Sequence, residues 1–444
     1  MKEIFENHCR QGNDAYRRGD LQGAIDHYRQ ALAIDDQHPD LYNNLGNVYD
    51  DAKAYDQAVA CFHKALELDP ANARALYNLG LTWFRQGRPD KAIVCYTRAI
   101  ELQPDYHSAW YNLGLAHKAA EDWTQAIRCF EQAQTLKPGD ANVCYNLGRA
   151  WEGKGNPEKA LACYRQATAL NPTDWEAFLY IGNICKDAGD HAAALAAYEQ
   201  VYAIVPGSAP LCFEIGCTAA TLGWWDKAIL NYRRTIDIDR YHQRAWFNMG
   251  NAWAAQGDLQ QAVVCYQQAA ALKPDDLSAH FNTALAWSRL GNTGQSIASY
   301  LRVVEIDPKE QESLRNLGFA YESLGKLSEA IGYYQRSIDA NPGNNPYAYN
   351  NWAFCLIRLR QPGTARPLLR RAVEQGLGDY GNLNLGHLAL IEGHEADAVT
   401  HYRASKAAFA DQQVFWSSMH NDLVYLQPYG IDRTAFERVL HQLR

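Results

Sequence analysis

The chain has 444 residues, of which 47% are hydrophobic and 12% aromatic, enough apolar material for a continuous core. Its formal net charge of -8 argues against a general binder of polyanions, so no nucleic-acid partner is expected. No run of about 18 apolar residues occurs, and we expect no membrane span. The pattern described next begins close to Met1 and leaves no room for a signal peptide, which favours a cytoplasmic location.

A strict 34-residue period runs from Phe5 to Asn344, in ten copies without insertion or deletion. Position 1 of the unit is counted from Pro39. Position 24 is Tyr or Phe in every copy, from Tyr28 to Tyr334. Position 8 is Gly12, Gly46, Gly80, Gly114, Gly148, Gly182, Gly216, Gly250, Ala284 and Gly318. A period of this length predicts an array of stacked supersecondary units.

Each unit is predicted to contain two helices. Positions 4, 7, 8 and 11 fall on one face of a helix, and positions 20, 24 and 27 fall on one face of a second. Glycine recurs at position 15, as at Gly87 and Gly155, and predicts the end of the first helix. Pro89 and Pro157 stand where a second helix begins. The predicted N-caps of second helices are Asp20, Asp122, Asn156, Asp190, Asp258 and Asn292.

The pattern resembles the tetratricopeptide repeat, and the stretch from Trp110 to Gly114 lies close to its consensus. The resemblance covers most of the chain. It implies an all-α fold, a right-handed superhelical solenoid of antiparallel helix hairpins. Each hairpin leaves an apolar face that its neighbours must cover, so the array is stabilised by stacking.

The register slips by one residue near Pro346, which divides the chain into three predicted parts. Residues 1–344 hold the ten in-phase units over 5–344, residues 345–407 two degenerate units, and residues 408–444 a C-terminal helical cap. The eleventh unit is marked by Tyr349, Trp352, Ala365, Leu369 and Ala372, and the twelfth by Leu385, Gly386, Ala398 and Tyr402. Phe415, Trp416, Met419, Leu423 and Leu426 recur with helical spacing in the predicted cap.

Five of the eleven cysteines occupy position 23, one in each of five units. They are Cys61, Cys95, Cys129, Cys163 and Cys265. Equivalent positions in neighbouring hairpins lie beyond disulfide reach, so we interpret these cysteines as small, partly buried free thiols.

Function must come from the surface that stacking leaves free. Positions 2, 6, 9 and 13 lie opposite the packing face of the first helix. Position 6 is an asparagine in most units: Asn44, Asn78, Asn112, Asn146, Asn248, Asn282 and Asn316. A carboxamide both donates and accepts, so this ladder either clamps the backbone of an extended peptide or forms bonds within the repeat or to water. The ladder resembles the one in the repeats of O-linked N-acetylglucosamine transferase, without a catalytic domain.

Neighbouring positions vary and are expected to set partner chemistry. Asp40, Asn47 and Asp51 make the second unit acidic, and Arg74 and Arg85 make the third basic. Apolar side chains are expected on the same face at Leu81, Leu115, Leu285 and Phe319. Units six and seven break several rules, with Tyr180 and Glu214 in place of asparagine. Trp224, at a turn position, is a candidate anchor for a partner or for self-association. The alternative is that its side chain only packs locally over the turn.

No catalytic, cofactor or metal motif is predicted. His387, His394 and His401 map to a first helix, a turn and a second helix, so they cannot share a helical face. The favoured function is a non-catalytic protein-protein interaction scaffold that binds an extended or helical partner segment in a concave groove. The alternatives are an adaptor or regulatory subunit that recruits substrate to a separate enzyme, and a self-assembling scaffold.

Overall fold

The computed structural model describes residues 1–443, and within them it is all-α and contains no strand. The chain divides into two compact units, Met1–Leu211 and Cys212–Arg444, and the boundary falls within helix α13, Ala209–Thr221. The other helices of the first unit are α1 (Lys2–Arg17), α2 (Leu21–Ile34), α3 (Pro39–Asp51), α4 (Tyr55–Leu68), α5 (Ala73–Arg85), α6 (Pro89–Leu102), α7 (His107–Ala119), α8 (Trp123–Leu136), α9 (Ala141–Gly153), α10 (Pro157–Leu170), α11 (Trp175–Asp187) and α12 (His191–Ile204).

The second unit continues with the same kind of element. Its helices are α14 (Trp225–Ile238), α15 (Gln243–Gln256), α16 (Leu259–Leu272), α17 (Leu277–Arg289), α18 (Thr293–Ile306), α19 (Gln311–Ser323), α20 (Leu327–Ala340), α21 (Pro346–Arg358), α22 (Ala365–Glu374), α23 (Gly378–Ile391), α24 (Glu395–Ala408), α25 (Gln412–Leu426) and α26 (Arg433–His441). Short 3₁₀ helices cover Pro362–Thr364 and Gln427–Tyr429. In both units consecutive helices pack as hairpins, and each hairpin packs on the next, which confirms the predicted all-α solenoid.

The position-8 glycine and the position-24 ring make the closest contact within a hairpin. A Cβ atom built on Gly114 would lie 2.6 Å from Cε1 of Phe130, and one on Gly46 would lie 2.6 Å from Cε1 of Phe62. Both rings are fully buried. A side chain at position 8 would therefore separate the two helices or displace the ring, which explains why glycine recurs there.

The ninth repeat departs from this pattern at two facing positions. Ala284 replaces the glycine of position 8, and Ser296 replaces the alanine of position 20. The Ser296 hydroxyl donates to the carbonyl oxygen of Ala284 at 2.9 Å, and both residues are buried. The two exceptions are thus partners across one helix pair, joined by a hydrogen bond that the other hairpins lack.

Most predicted caps are confirmed. Asp20, Asp122, Asn156, Asp190 and Asp258 each accept a bond from a backbone N–H three residues on. Asn292 is the N-cap residue of α18, as predicted, but its side chain accepts no bond from the first turn of that helix. Pro89 and Pro157 occupy the start of their helices as expected.

The C-terminal part follows the predicted change of register. From α3 to α19 the first helices begin 34 residues apart, whereas α19 begins at Gln311 and α21 at Pro346, a step of 346 − 311 = 35 residues. Ala365, Leu369 and Ala372 of α22 are buried, as are Phe415 and Met419 of α25. Helix α25 packs on α23 and α24, and α26 packs on α24. At the other end, α1 begins at Lys2, three residues before the predicted Phe5.

The cysteines are free thiols, as predicted. Cys95, Cys129 and Cys265 are buried, and Cys61 and Cys163 are half-buried. Burial raises the pKa of Cys61 to about 11 and the pKa of Cys129 to about 12, because the thiolate would lose its hydration. These side chains therefore act as small apolar groups of the core.

Three turns between helices carry backbone strain. Position 15 has positive φ in every case where it is glycine, for example +71° at Gly87 and +76° at Gly155. In three repeats a residue with a side chain adopts the same conformation, namely Lys53 at φ 57°, Glu121 at φ 58° and, in the eleventh unit, Arg360 at φ 60°. A left-handed conformation costs such a residue about 1–2 kcal/mol.

We predict that Lys53→Gly and Glu121→Gly each raise the free energy of unfolding by about 0.5 kcal/mol. Relief of the left-handed conformation outweighs the larger chain entropy of glycine in the unfolded state. Urea denaturation followed by circular dichroism measures the change. The matched control is Gly155→Ala, which should lower the free energy of unfolding by about 1 kcal/mol. A loss of stability in both glycine variants would contradict the assignment of strain.

Candidate functional site

The first-helix face consists of the side chains at positions 2, 6, 9 and 13 of the first helix in each repeat. In the first unit α3 contacts α5, α5 contacts α7, and α7 contacts α9. In the second unit α21 contacts both α19 and α23. Because neighbouring first helices touch directly, the first-helix face is continuous from one repeat to the next within these stretches.

The asparagine ladder of the first unit is bonded from repeat to repeat. The Nδ2 group of Asn112 donates to the hydroxyl of Tyr77 at 2.9 Å and to the carbonyl oxygen of Ser108 at 2.9 Å. Asn146 repeats the arrangement, donating at 3.0 Å to the hydroxyl of Tyr111 and to the carbonyl oxygen of Asn142. The N–H donors of these two carboxamides are therefore occupied by the fold.

The remaining ladder asparagines mostly follow the same rule, with different acceptors. Asn78 donates to Oδ1 of Asn43 at 2.9 Å. In the second unit Asn248 donates to Sγ of Cys217 at 3.7 Å, Asn282 to Oδ1 of Asn251 at 3.4 Å, and Asn316 to the hydroxyl of Tyr300 at 3.0 Å. Each acceptor belongs to the preceding repeat. Asn44 and Asn47, both half-buried, make no side-chain bond among residues 1–443.

The ladder keeps a specific part of its bonding capacity. Within the described chain, Oδ1 of Asn78 and Oδ1 of Asn112 accept no hydrogen bond, and no group accepts the hydroxyl proton of Tyr111. An oxygen acceptor from asparagine and an O–H donor from tyrosine are the two groups that a peptide backbone needs. The tyrosine donor at position 5 is a part of this surface that the sequence pattern did not single out as a bonding group.

Charge at the N-terminal end of the face is largely compensated. Arg85 forms an ion pair with Asp50 and lies 3.7 Å from Asp51, and the hydroxyl of Tyr16 donates to Asp51. Arg74 and Asp40 are exposed. The basic character expected from Arg85 is thus offset by Asp50, whose position 12 the sequence pattern did not mark as part of the face.

Lys118, also at position 12, is the cation that the sequence analysis missed. Its ammonium donates to Oδ1 of Asn146 at 2.6 Å, and no carboxylate within residues 1–443 pairs with it. Burial lowers the pKa of Lys118, and the nearby charge of Arg149 lowers it further. Arg149 lies 3.6 Å from Glu152 and 4.6 Å from the centroid of the Tyr180 ring. Lys118 is therefore a half-buried positive charge beside the ladder.

The apolar residues expected on the face fall into two groups. Leu81 and Leu115 are half-buried and pack at the edges of core clusters. Leu285 and Phe319 are more open to solvent, and 60% of the Phe319 surface is exposed. The first pair thus lies at the border between core and surface, and Phe319 lies on the surface.

Trp224 stands apart from the ladder, at the N-cap of α14. Its side chain is 49% exposed and makes no capping bond. The ammonium of Lys227 lies 5.3 Å from the centroid of a Trp224 ring. Trp225, the next residue, is half-buried. The structure therefore places Trp224 on the surface of the second unit.

The three spaced histidines lie in different surroundings. His387 is buried between the hydroxyl of Tyr402 at 2.8 Å and Oδ2 of Asp422 at 3.2 Å. His401 lies 3.3 Å from Oδ1 of Asn382, and His394 is exposed. Over residues 1–443 no group of three His, Cys, Asp or Glu side chains is arranged to hold a metal ion. Over the same residues, no helix is both long and apolar enough to cross a bilayer.

Comparison with protein families decides the identity of the repeat. Models described as the tetratricopeptide repeat match residues 39–72, 73–106, 107–140, 145–209, 244–276 and 311–344. A model described as the TPR repeat matches residues 12–51. The chain belongs to the tetratricopeptide repeat family. Tetratricopeptide arrays mediate protein interactions, so the chain is a protein-interaction scaffold.

Several solved structures are similar to parts of the tetratricopeptide chain. The MamA protein is 29% identical over 40% of this chain and 96% of that chain, with a TM-score of 0.37. A tetratricopeptide repeat protein from Parabacteroides merdae is 17% identical over 56% of this chain and 99% of that chain, with a TM-score of 0.41. PilF of Pseudomonas aeruginosa is 23% identical over 50% of this chain and 98% of that chain, with a TM-score of 0.42. A search of curated proteins gave no match.

We predict that the ladder bonds stabilise the tetratricopeptide array itself. Asn112→Ala should lower the free energy of unfolding by about 1 kcal/mol, because it removes the bond to Tyr77 and a bond to its own helix. A double-mutant cycle with Tyr77→Phe, measured by urea denaturation, should give a coupling of about 0.5–1.5 kcal/mol. Asn44→Ala is the control, since Asn44 makes no such bond. Additive effects of the two substitutions would show that the bond contributes nothing.

Proposed function

We propose that the first-helix face of α5, α7 and α9 binds an extended segment of a partner protein, and that an acidic group of this segment pairs with Lys118. The observation that carries the proposal is the half-buried ammonium of Lys118, which has one hydrogen bond, to Asn146. A partly desolvated cation without a counter-ion is costly. A carboxylate from a partner would restore the interactions that the ammonium loses on folding.

The neighbouring ladder supplies contacts for the backbone of such a segment. Oδ1 of Asn78 and Oδ1 of Asn112 can accept backbone N–H groups, and the hydroxyl of Tyr111 can donate to a carbonyl oxygen. Packed helices lie about 8–10 Å apart, and an extended chain advances about 3.3 Å per residue. One repeat therefore corresponds to about three residues of the segment. Backbone bonding of this kind holds an extended chain without selecting its side chains.

Selectivity would come from side chains beside the ladder. Leu81 and Leu115, at position 9 of consecutive repeats, offer apolar contacts on the same face. Lys118 lies in α7, the helix of Leu115. The segment that fits is therefore extended and carries an acidic residue close to apolar side chains. A preference for this combination would distinguish specific binding from nonspecific apolar binding.

The adaptor alternative rests on a different surface. Trp224 exposes 49% of its surface on the second unit, and large exposed aromatic residues are frequent anchors of protein contacts. We propose Trp224 as the anchor of a second contact, with a separate protein or with another copy of the chain. This contact would be independent of the segment held at Lys118.

We predict that Lys118→Met lowers the affinity for an acidic peptide by about tenfold or more, because the peptide carboxylate loses its buried counter-ion. The peptide is selected from a random 15-residue display library on the full chain and measured by fluorescence anisotropy. Replacing its acidic residue by the amide should cost as much in the wild-type chain and nothing further in Lys118→Met.

Two control variants accompany this measurement. Lys154→Met removes an exposed lysine of the next repeat, and Trp224→Ala removes the proposed second anchor. Both should leave the peptide affinity unchanged. A library that shows no preference for acidic residues, or a Lys118→Met variant that binds as tightly as the wild type, would disprove the assignment.

A further inference from the structure

The second unit contains a cavity of about 260 Å³ where four successive first helices converge. Its walls come from α19, α21, α23 and α25. Helix α25 meets α21 directly at this point. Tyr425 of α25 packs edge-on against Phe354 of α21, with 5.3 Å between the ring centroids. The cavity is lined by Phe319, Glu322, Asn350, Asn351, Phe354, Tyr380, Asn384, Ser418, Asn421 and Asp422.

The charge of the cavity wall is negative. Glu322 and Asp422 are its charged residues, and no lysine or arginine lines it. Arg358, next to the cavity, pairs with Glu322 at 3.2 Å and so compensates that carboxylate. Asp422 remains, with its Oδ2 atom 3.2 Å from Nε2 of His387.

His387 does not need to cancel the charge of Asp422. The hydroxyl of Tyr402 lies 2.8 Å from Nδ1 of His387, and burial raises the pKa of Tyr402 well above its ordinary value, so this hydroxyl keeps its proton and can donate. Both contacts are satisfied with Nδ1 accepting and Nε2 donating to Asp422. Asp422 also lines the cavity, so its carboxylate presents acceptor oxygens there.

A buried carboxamide presents a second acceptor. Asn384 is only 5% exposed, and its Nδ2 group donates to Oδ1 of Asn350 at 2.9 Å. Among residues 1–443, no donor binds Oδ1 of Asn384, although its residue lines the cavity. This oxygen is therefore open to an N–H donor inside the cavity.

Aromatic rings form the remaining wall, at Phe319, Phe354 and Tyr380. Arg358 is an example, within the chain, of a guanidinium held by an aromatic ring and a carboxylate. Its guanidinium lies 5.0 Å from the Tyr425 ring centroid and pairs with Glu322. Guanidinium groups stack on aromatic faces and bind carboxylates through planar N–H donors. The guanidinium of Arg358 also lies 6.0 Å from the centroid of Phe354, so the groups of the wall that are left for a ligand are Phe319, Tyr380 and Asp422.

We propose that this cavity is a binding site for an arginine side chain of a partner protein. The guanidinium would stack between the rings, pair with Asp422 and donate to Oδ1 of Asn384. The inference rests on the proposed scaffold function but uses a different site from Lys118. The group proposed to bind at Lys118 is negative, whereas the group proposed to bind in this cavity is positive.

The test uses N-acetyl-arginine-methylamide as the probe and the full chain as the receptor, with saturation-transfer difference NMR as the measurement. The citrulline analogue is the matched neutral ligand, since it keeps the shape and loses the charge. Arginine should bind at least about tenfold more tightly than citrulline, the ratio expected for one desolvated cation interaction. Phe319→Ala and Asp422→Asn should each weaken arginine binding at least about fivefold.

The variants are chosen to preserve the fold. Phe319 is 60% exposed, and Asn at position 422 can still accept the bond from His387. Asp237→Asn, an exposed carboxylate outside the cavity, is the control and should leave binding unchanged. Equal binding of arginine and citrulline, tighter binding of the lysine derivative, or full binding by both cavity variants would overturn the proposal. The probe has no carboxylate to pair with Lys118, so failure here is separate from failure of the acidic-peptide measurement.

Discussion

The close contact between the position-8 glycine and the position-24 ring is the constraint on which the array depends. At Gly114 and Phe130 there is no room for a Cβ atom, since it would lie 2.6 Å from the ring. This contact sets the distance between the two helices of a hairpin. Packing of the second helix of one hairpin on the first helix of the next, as of α8 on α9, then sets the spacing of the first-helix face.

The ladder bonds are a consequence of that spacing. Asn112 reaches Tyr77, and Asn146 reaches Tyr111, because each pair is separated by 35 residues, one repeat plus one position. The same separation joins Asp422 to His387 near the C-terminal end. A polar contact between repeats is thus built into the same geometry that packs the apolar core.

Most of the fold follows from local pattern. Glycine at position 15 and aspartate after it predicted the turns correctly, because backbone conformation and capping are determined by a few adjacent residues. Asn292 stands at the N-cap position that was predicted, yet its side chain accepts no bond, which shows that a residue in the right place does not always form the bond. The slip before Pro346 was also predictable, since it changes a period that is otherwise constant.

The candidate sites were harder to predict, because they depend on which groups remain without partners. Sequence spacing placed Asn112 on the free face but could not show that its N–H groups are already bonded. It placed Arg85 there and missed Asp50, which pairs with it. Lys118 and the wall of the C-terminal cavity were missed altogether, since their character arises from side chains of several repeats meeting in space.

The asparagine at position 6 both bonds within the array and lies on the first-helix face, and this has a consequence for how such arrays diverge. A residue that the fold itself requires is retained whatever the partner is, so asparagine at position 6 carries little information about what an array recognises. Position 12 differs from repeat to repeat: here it holds Asp50, Phe84, Lys118 and Glu322. The side chains that change the sign of the charge therefore stand six residues, about 1.7 turns, after the recurring asparagine.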